Sequence, residues 1–323
     1  MTTIGQHHRR KKEPALTNMR NSATYGTAVI KPADFDQFWG EVLGQAAQIP
    51  LHATLTPVPF RSTPNVEVFE VHYDSLDHVR VAGWYCLPRQ RSKPLPAMVF
   101  YPGYISEPTL PKGAAAQGYA AFGAAPRGKL RSNSQFNPGY PGLLTHNITD
   151  HNTYGYKGFY VDAWRAIDFL LERPEVDSAR IGVRGGSQGG ALTLLAAAMR
   201  PVAAASAGAP YLAGVIDAIR LTNSQPYQEI NDYLRLYPNS RTAIETTWSY
   251  YDCINFADKI KCPILVNIGL NDDVCPPETG YAVFNALGSQ EKKLYAYPGH
   301  GHDANGYQHE AIVEAFFRER FQP

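Results

Sequence analysis

No stretch of this chain approaches the roughly 18 consecutive apolar residues that a membrane helix needs, so no membrane association is expected. The apolar h-region of a secretory signal is missing from the N-terminus, which reads as a cytoplasmic chain. An excess of either charge is missing too. The 30 Lys and Arg face 29 Asp and Glu, a net charge of +1, which leaves no electrostatic footprint for nucleic acid or for a strongly acidic partner. The one basic cluster, His7-His8-Arg9-Arg10-Lys11-Lys12, is short and terminal and reads as a solvated tail. Cysteine is scarce: Cys86, Cys253, Cys262 and Cys275, with no C-x-x-C pair, argue against a zinc-ribbon site. Three of them, Cys86, Cys262 and Cys275, sit in apolar or strand-like contexts, the usual setting of a buried free thiol. Internal repeats and low-complexity segments are also absent. What remains is a mixed chain of 323 residues, 44% hydrophobic and 18% charged, long enough to bury a large core and neither disordered nor fibrous.

Residues 1–30 carry Gly, Asn, Thr and charge without periodicity and read as an N-terminal arm; residues 31–323 read as a single α/β domain. The segment Pro32-Ala33-Asp34-Phe35-Asp36-Gln37-Phe38-Trp39 predicts a helix with Pro in its first turn, acidic residues at the positive end of the dipole and an aromatic face. Residues 66–73 and 79–87 alternate as antiparallel strands do, around a polar turn at 74–77. Four nearly continuous apolar runs follow, at 96–101, 119–125, 180–183 and 262–268, each suited to a strand covered on both faces. Helical patterns at 160–171, 191–199 and 311–321 lie between or after them. Alternation of this kind predicts a mostly parallel central sheet with helices on both faces. Residues 211–250 break the rhythm with short helical pieces, and read equally as a lid inserted between two core strands or as an outer helical layer.

The chemistry concentrates in Arg184-Gly185-Gly186-Ser187-Gln188-Gly189-Gly190, which follows the run at 180–183 and precedes the helix at 191–199. G-x-S-x-G is weak alone, but between strand and helix it describes a sharp turn that exposes a nucleophilic hydroxyl. Small residues must flank such a turn, and the following helix aims its N–H groups at a developing oxyanion. An activated serine needs a base and an orienting carboxylate, which in this kind of fold follow in the order acid, then histidine. After the strand at 262–268 the chain reads Gly269-Leu270-Asn271-Asp272-Asp273-Val274-Cys275-Pro276-Pro277, where Asp272 and Asp273 compete for the acid. After a strand at 293–297 it reads Pro298-Gly299-His300-Gly301-His302-Asp303, and spacing does not choose between His300 and His302.

Taken together these stretches resemble carbohydrate esterase family 7, the acetyl xylan esterases and cephalosporin C deacetylases of the α/β-hydrolase superfamily. The likeness also covers Thr149-Asp150, Gly158-Phe159-Tyr160-Val161-Asp162-Ala163 and Glu229-Ile230-Asn231-Asp232-Tyr233-Leu234, and so nearly everything after residue 30. It implies Ser187 as nucleophile, and Asp272 rather than Asp273 through a G-L-x-D-x-x-x-P-P pattern at 269–277. His302 is implied through a His-Glu pair in which Asp303 replaces Glu. It further implies main-chain oxyanion donors at Gln188 and Tyr104. Two departures stand out. The family's R-G-Q reads Arg127-Gly128-Lys129, a charge for a neutral amide, and its His-Gly-Tyr reads Pro102-Gly103-Tyr104. Arg127 is expected to be structural, paired with a buried carboxylate, and Gly185 and Gly189 to shape the turn.

The resulting expectation is a serine carboxylesterase that removes acetyl or other short acyl groups from sugar-type or small-molecule esters, without metal or organic cofactor. An amidase or peptidase of the same fold would use the same residues; a catalytically silent α/β-hydrolase acting as a binding protein is the rival of another class, and such proteins commonly lose a member of the triad. The resemblance implies a homo-oligomer, often a hexamer whose sites face an internal chamber.

Overall fold

A computed structural model of the chain describes residues 24–321. In chain order its helices and strands are α1 (Phe35–Ala47), β1 (Thr54–Pro57), β2 (Val66–Asp74), β3 (Arg80–Pro88), β4 (Leu95–Tyr101), α2 (Lys112–Ala116), β5 (Ala120–Ala125) and α3 (Tyr156–Leu171). Then come β6 (Val176–Gly186), α4 (Gln188–Met199), β7 (Ala204–Gly208), α5 (Val215–Leu221), α6 (Gln228–Leu236) and α7 (Arg241–Tyr251). The series ends with α8 (Ile254–Ala257), β8 (Ile264–Gly269), α9 (Pro277–Ala286), β9 (Lys292–Tyr297) and α10 (Gly306–Phe321).

The strands form one nine-stranded sheet in the order β1-β2-β3-β5-β4-β6-β7-β8-β9. Pairing is antiparallel from β1 to β5 and parallel from there on. This is the mixed sheet of an α/β-hydrolase, and the strands expected to be nearly apolar throughout occupy its covered middle. Period-two alternation divides the core. Val99, Tyr101, Val183, Ala205 and Val266 lie on one face, which α3 and α4 cover. On the other face Met98, Ala204 and Leu265 pack against Val313, Phe316, Phe317 and Phe321 of α10. Helix α3 lies deep in the larger core and is buried nearly all round, with its inward-facing Asp162 and Arg165 hydrogen-bonded. Trp39 of α1 packs edge-on against Trp164 of α3 and donates its indole N–H to the Tyr250 carbonyl at 2.8 Å.

Two local expectations need correction, and one strand was not foreseen. The first helix begins at Phe35 with Asp34 as its N-cap, so Pro32 precedes the helix rather than opening it. Its fixed φ suits an N-terminal first turn, but here its carbonyl instead closes a turn onto the Phe35 N–H at 3.2 Å. Residues 24–30 of the expected arm are not loose, because Asp217 of α5 accepts hydrogen bonds from the Thr27 hydroxyl (2.8 Å) and the Ala28 N–H (2.9 Å). The basic cluster at 7–12 lies outside the described residues. Strand β7, Ala-Ala-Ser-Ala-Gly, escapes sequence reading because it has none of the β-branched or aromatic residues that favour strands. Its small side chains are what the crowded centre of the sheet accommodates. Among the described residues no helix is long and apolar enough to cross a membrane.

Behind the C-terminal ends of the parallel strands lies a buried ion pair. Arg127 donates from Nε and from its own N–H to Asp162 Oδ2, both at 2.8 Å, and from Nη2 to Oδ1 at 3.0 Å. Arg127 Nη2 also reaches the Leu76 carbonyl, and Ser75 donates to the same carboxylate. This ties the loop after β5 to α3 and to the β2–β3 turn. Removing one partner of such a pair strands the other charge in low dielectric. Asp162→Asn is therefore expected to lower unfolding free energy by about 3–5 kcal/mol, read from urea denaturation; a loss below about 1 kcal/mol would mean that the pair is not structural.

Candidate active site

Ser187 stands where β6 ends and α4 begins, and its backbone is held at φ 57°, ψ −122°. A non-glycine residue in that region is strained by about 1–3 kcal/mol, a cost that recurs at functional turns. The turn closes so tightly that its flanks must be glycine. A Cβ on Gly185 would stand 2.6 Å from the Gly189 backbone, and one on Gly189 would stand 2.2 Å from the Tyr101 carbonyl oxygen. The Ser187 N–H is tied to the Gly208 carbonyl at 2.8 Å, so β7 holds the bend from the side.

Asp272 follows β8 and is almost wholly buried. Its Oδ1 accepts the N–H groups of Val274 and Cys275, each at 2.8 Å, and its Oδ2 lies 2.9 Å from Nδ1 of His302. Two main-chain donors thus orient the carboxylate, and the carboxylate orients the imidazole. With Nδ1–H donated to Asp272, Nε2 is left as the proton acceptor. The neighbouring candidates are arranged differently. Asp273 is exposed, and only its main-chain carbonyl is engaged, by the Thr222 hydroxyl. His300 faces Asp303 at 2.8 Å on the surface.

Ser187 and His302 line one cavity of about 750 Å³. The serine hydroxyl makes no hydrogen bond to His302 in this arrangement; it interacts instead with the Cys275 thiol. That thiol is fully buried, and burial and the nearby Asp272 carboxylate push its pKa well above the ordinary value. Tyr104 lines the same cavity, and Gln188 is the first residue of α4. Among the described residues no acceptor engages the main-chain N–H of either. Two free N–H groups beside a strained serine are what a tetrahedral oxyanion requires.

Several supports were not legible in the sequence. The Tyr156 hydroxyl donates to Gln188 Oε1 at 2.8 Å and fixes that side chain. Tyr104 donates its hydroxyl to Glu229 at 2.6 Å, and the other Glu229 oxygen accepts the Gly142 N–H at 2.9 Å. Burial raises the Glu229 pKa, with both hydrogen bonds pulling it back. Glu229 and Pro226 also line the cavity, so the segment 211–250 forms part of its wall as well as an outer layer. The lid reading of that segment and the likeness at 229–234 pointed this way without identifying the contacts.

Residues 15–319 match the family described as acetyl xylan esterase (AXE1). An acetyl esterase of Xylanibacter ruminicola is 30% identical over 279 residues, which make up 81% of this chain and 62% of that protein. The chain therefore spans less than two thirds of that relative's length. Among solved structures, an acetyl xylan esterase from Paenibacillus sp. R4 superposes with a TM-score of 0.86 at 32% identity, covering 94% of this chain and 99% of that one. Acetyl xylan esterase 1 from Thermoanaerobacterium sp. JW/SL YS485 gives 0.85 at 26% identity with the same coverage.

Lys129 stands behind the turn that carries Tyr104. Its Nζ donates to the Tyr104 carbonyl at 2.7 Å and the Ser106 carbonyl at 3.1 Å, and lies 4.3 Å from the centre of the Tyr140 ring. Burial lowers its pKa from 10.5 to about 8, with Glu107 opposing. Below about 8 both folded and unfolded chains hold the proton, and the folded state carries the full cost of the buried charge. Between about 8 and 10.5 the unfolded chain binds more protons, so this group's contribution to stability rises with pH. Urea midpoints of wild type and Lys129→Met, taken from below to above that window, should diverge in favour of wild type as pH rises; parallel curves would contradict the assignment.

Proposed function

The chain belongs to the acetyl xylan esterase family, and from that premise we propose that it is a serine carboxylesterase removing acetyl or other short acyl groups from sugar-type or small-molecule esters. The observation that carries the reading is the Asp272–His302 pair set in the same cavity as a serine on a strained, glycine-flanked turn. In the proposed reaction Ser187 Oγ turns from Cys275 to donate to Nε2 of His302; such contacts often tighten only when substrate is bound. His302 takes the proton as Oγ attacks the ester carbonyl, and Asp272 stabilises the imidazolium. The N–H groups of Tyr104 and Gln188 hold the oxyanion, and each such donor contributes about 3 kcal/mol to the barrier reduction. Collapse expels the alcohol with the proton from His302. Water, deprotonated by the same imidazole, then attacks the acyl-enzyme and releases the acid.

The homo-oligomer implied by the family resemblance belongs to this proposal. Phe60, Ile105, Leu236, Tyr237 and Tyr307 are exposed large apolar side chains that an assembly would cover.

Ser187→Ala should abolish hydrolysis of p-nitrophenyl acetate and labelling by a fluorophosphonate while leaving the thermal midpoint close to wild type. Asp272→Asn should lower kcat by roughly 10⁴, the scale found when the tautomer of a triad histidine is lost. Undiminished turnover in either variant would remove that residue from the mechanism. Light scattering should return a multiple of the 35.7 kDa chain mass; a monomer at micromolar concentration would end the assembly proposal.

A further inference from the structure

Lys129 is 2% exposed and carries its charge into the wall behind the turn that holds Tyr104. Its three partners, the Tyr104 and Ser106 carbonyls and the Tyr140 ring, belong to residues that line the cavity of Ser187 and His302, while the ammonium lies behind them. Because Nζ is 2.7 Å from the Tyr104 carbonyl oxygen, it stands within roughly 7 Å of the main-chain N–H of the same residue. Two carbonyls and a ring face accept its protons but bring no full negative charge. Among the described residues no carboxylate forms an ion pair with it. Glu107, on the same loop, is exposed and acts only at longer range. Glu229, from α6, meets Tyr104 at the hydroxyl end of its side chain.

A buried charge without a counter-ion is costly, and a neutral donor could hold the same two carbonyls. The ammonium therefore imposes a cost on the resting protein that bracing the loop does not require. Attack of Ser187 on an ester would create the missing negative charge, an oxyanion at the Tyr104 N–H on the cavity side of that loop. Attraction between two such charges is strong where water is excluded. It arises only as the oxyanion forms, which is the condition for speeding the step rather than merely binding the ester.

We propose that Lys129 is a positioning residue of the oxyanion site, whose ammonium holds the Tyr104 turn and supplies the positive field that the developing oxyanion meets. The inference rests on the esterase reading. It makes the rate depend on the protonation of a side chain that lies outside both the cavity and the triad. Burial brings the Lys129 pKa down to about 8, so the cation is present below that pH and lost above it. The Tyr104 and Tyr140 hydroxyls, whose pKa values burial raises well above the ordinary value, stay protonated through this window. Glu107 and Glu229 are common to the wild type and to the variants below.

The test is the pH profile of kcat/KM for p-nitrophenyl acetate, corrected for spontaneous hydrolysis, in wild type, Lys129→Gln and Lys129→Met. This ratio reports the ionisations of the free enzyme. Wild type should decline on the alkaline side with an apparent pKa near 8, by roughly tenfold in all. Lys129→Gln, which can donate to both carbonyls without a charge, should run at the lower level throughout and show no such limb. Lys129→Met should do the same; if it fails to fold, wild type against Lys129→Gln decides. A purely structural role would lower the rate alike at every pH. Profiles of one shape in the folded proteins, or an active wild type without the alkaline limb, would overturn the proposal and leave the esterase reading intact. A folded wild type that neither turns over the ester nor takes a fluorophosphonate label would remove the esterase reading, and the proposal with it.

Discussion

Ser187 can present its hydroxyl only because the backbone beneath it is forced into a conformation that a side-chain-bearing residue rarely adopts. The strain is held by close packing on three sides: β4 touches Gly189, the helix backbone touches Gly185, and β7 grips the Ser187 N–H. Everything catalytic in the proposal follows from that bend. It turns the hydroxyl into the cavity, starts α4 at Gln188 with its N–H unpaired, and leaves the space beside the bend to be closed by the loops after β4, β8 and β9.

Around the bend the protein places charged groups where water is largely excluded, and each is matched. Asp272 is coordinated by two main-chain donors and His302, Arg127 is enclosed by Asp162, and Lys129 rests on two carbonyls and an aromatic face. In low dielectric such groups are rigid, because moving a partner away exposes an uncompensated charge or dipole. The oxyanion turn is thereby braced from both sides: Lys129 holds the Tyr104 carbonyl, and Glu229, reaching in from α6, holds the Tyr104 hydroxyl.

The departure at Lys129 shows how one substitution changes the physics while leaving the architecture in place. A neutral amide at that position would supply hydrogen bonds without a charge to desolvate. The ammonium supplies stronger ones at the expense of burying a cation, and its lowered pKa records that balance.

Much of the plan was legible in the chain. Strand, glycine turn and helix around Ser187 are local events, so spacing and residue size expose them, and the apolar runs announced the covered parallel strands. The pairing of Asp272 with His302, 30 residues apart in sequence, was not legible from spacing; nor was the exclusion of Asp273 and His300, which differ from the chosen residues by one or two positions. Resemblance to a family selected them, and the fold shows the physical basis: only Asp272 turns inward to meet two N–H groups, and only His302 lies within reach of it. The brace from Glu229 escaped for the same reason, whereas strand β7 escaped because its small residues carry no strand signal. The sequence by itself determined the periodicities, the glycine bend and the inventory of chemical groups, because these depend on neighbours along the chain. Which of those groups face one another across the cavity was decided only by the tertiary structure, because that depends on how distant segments pack.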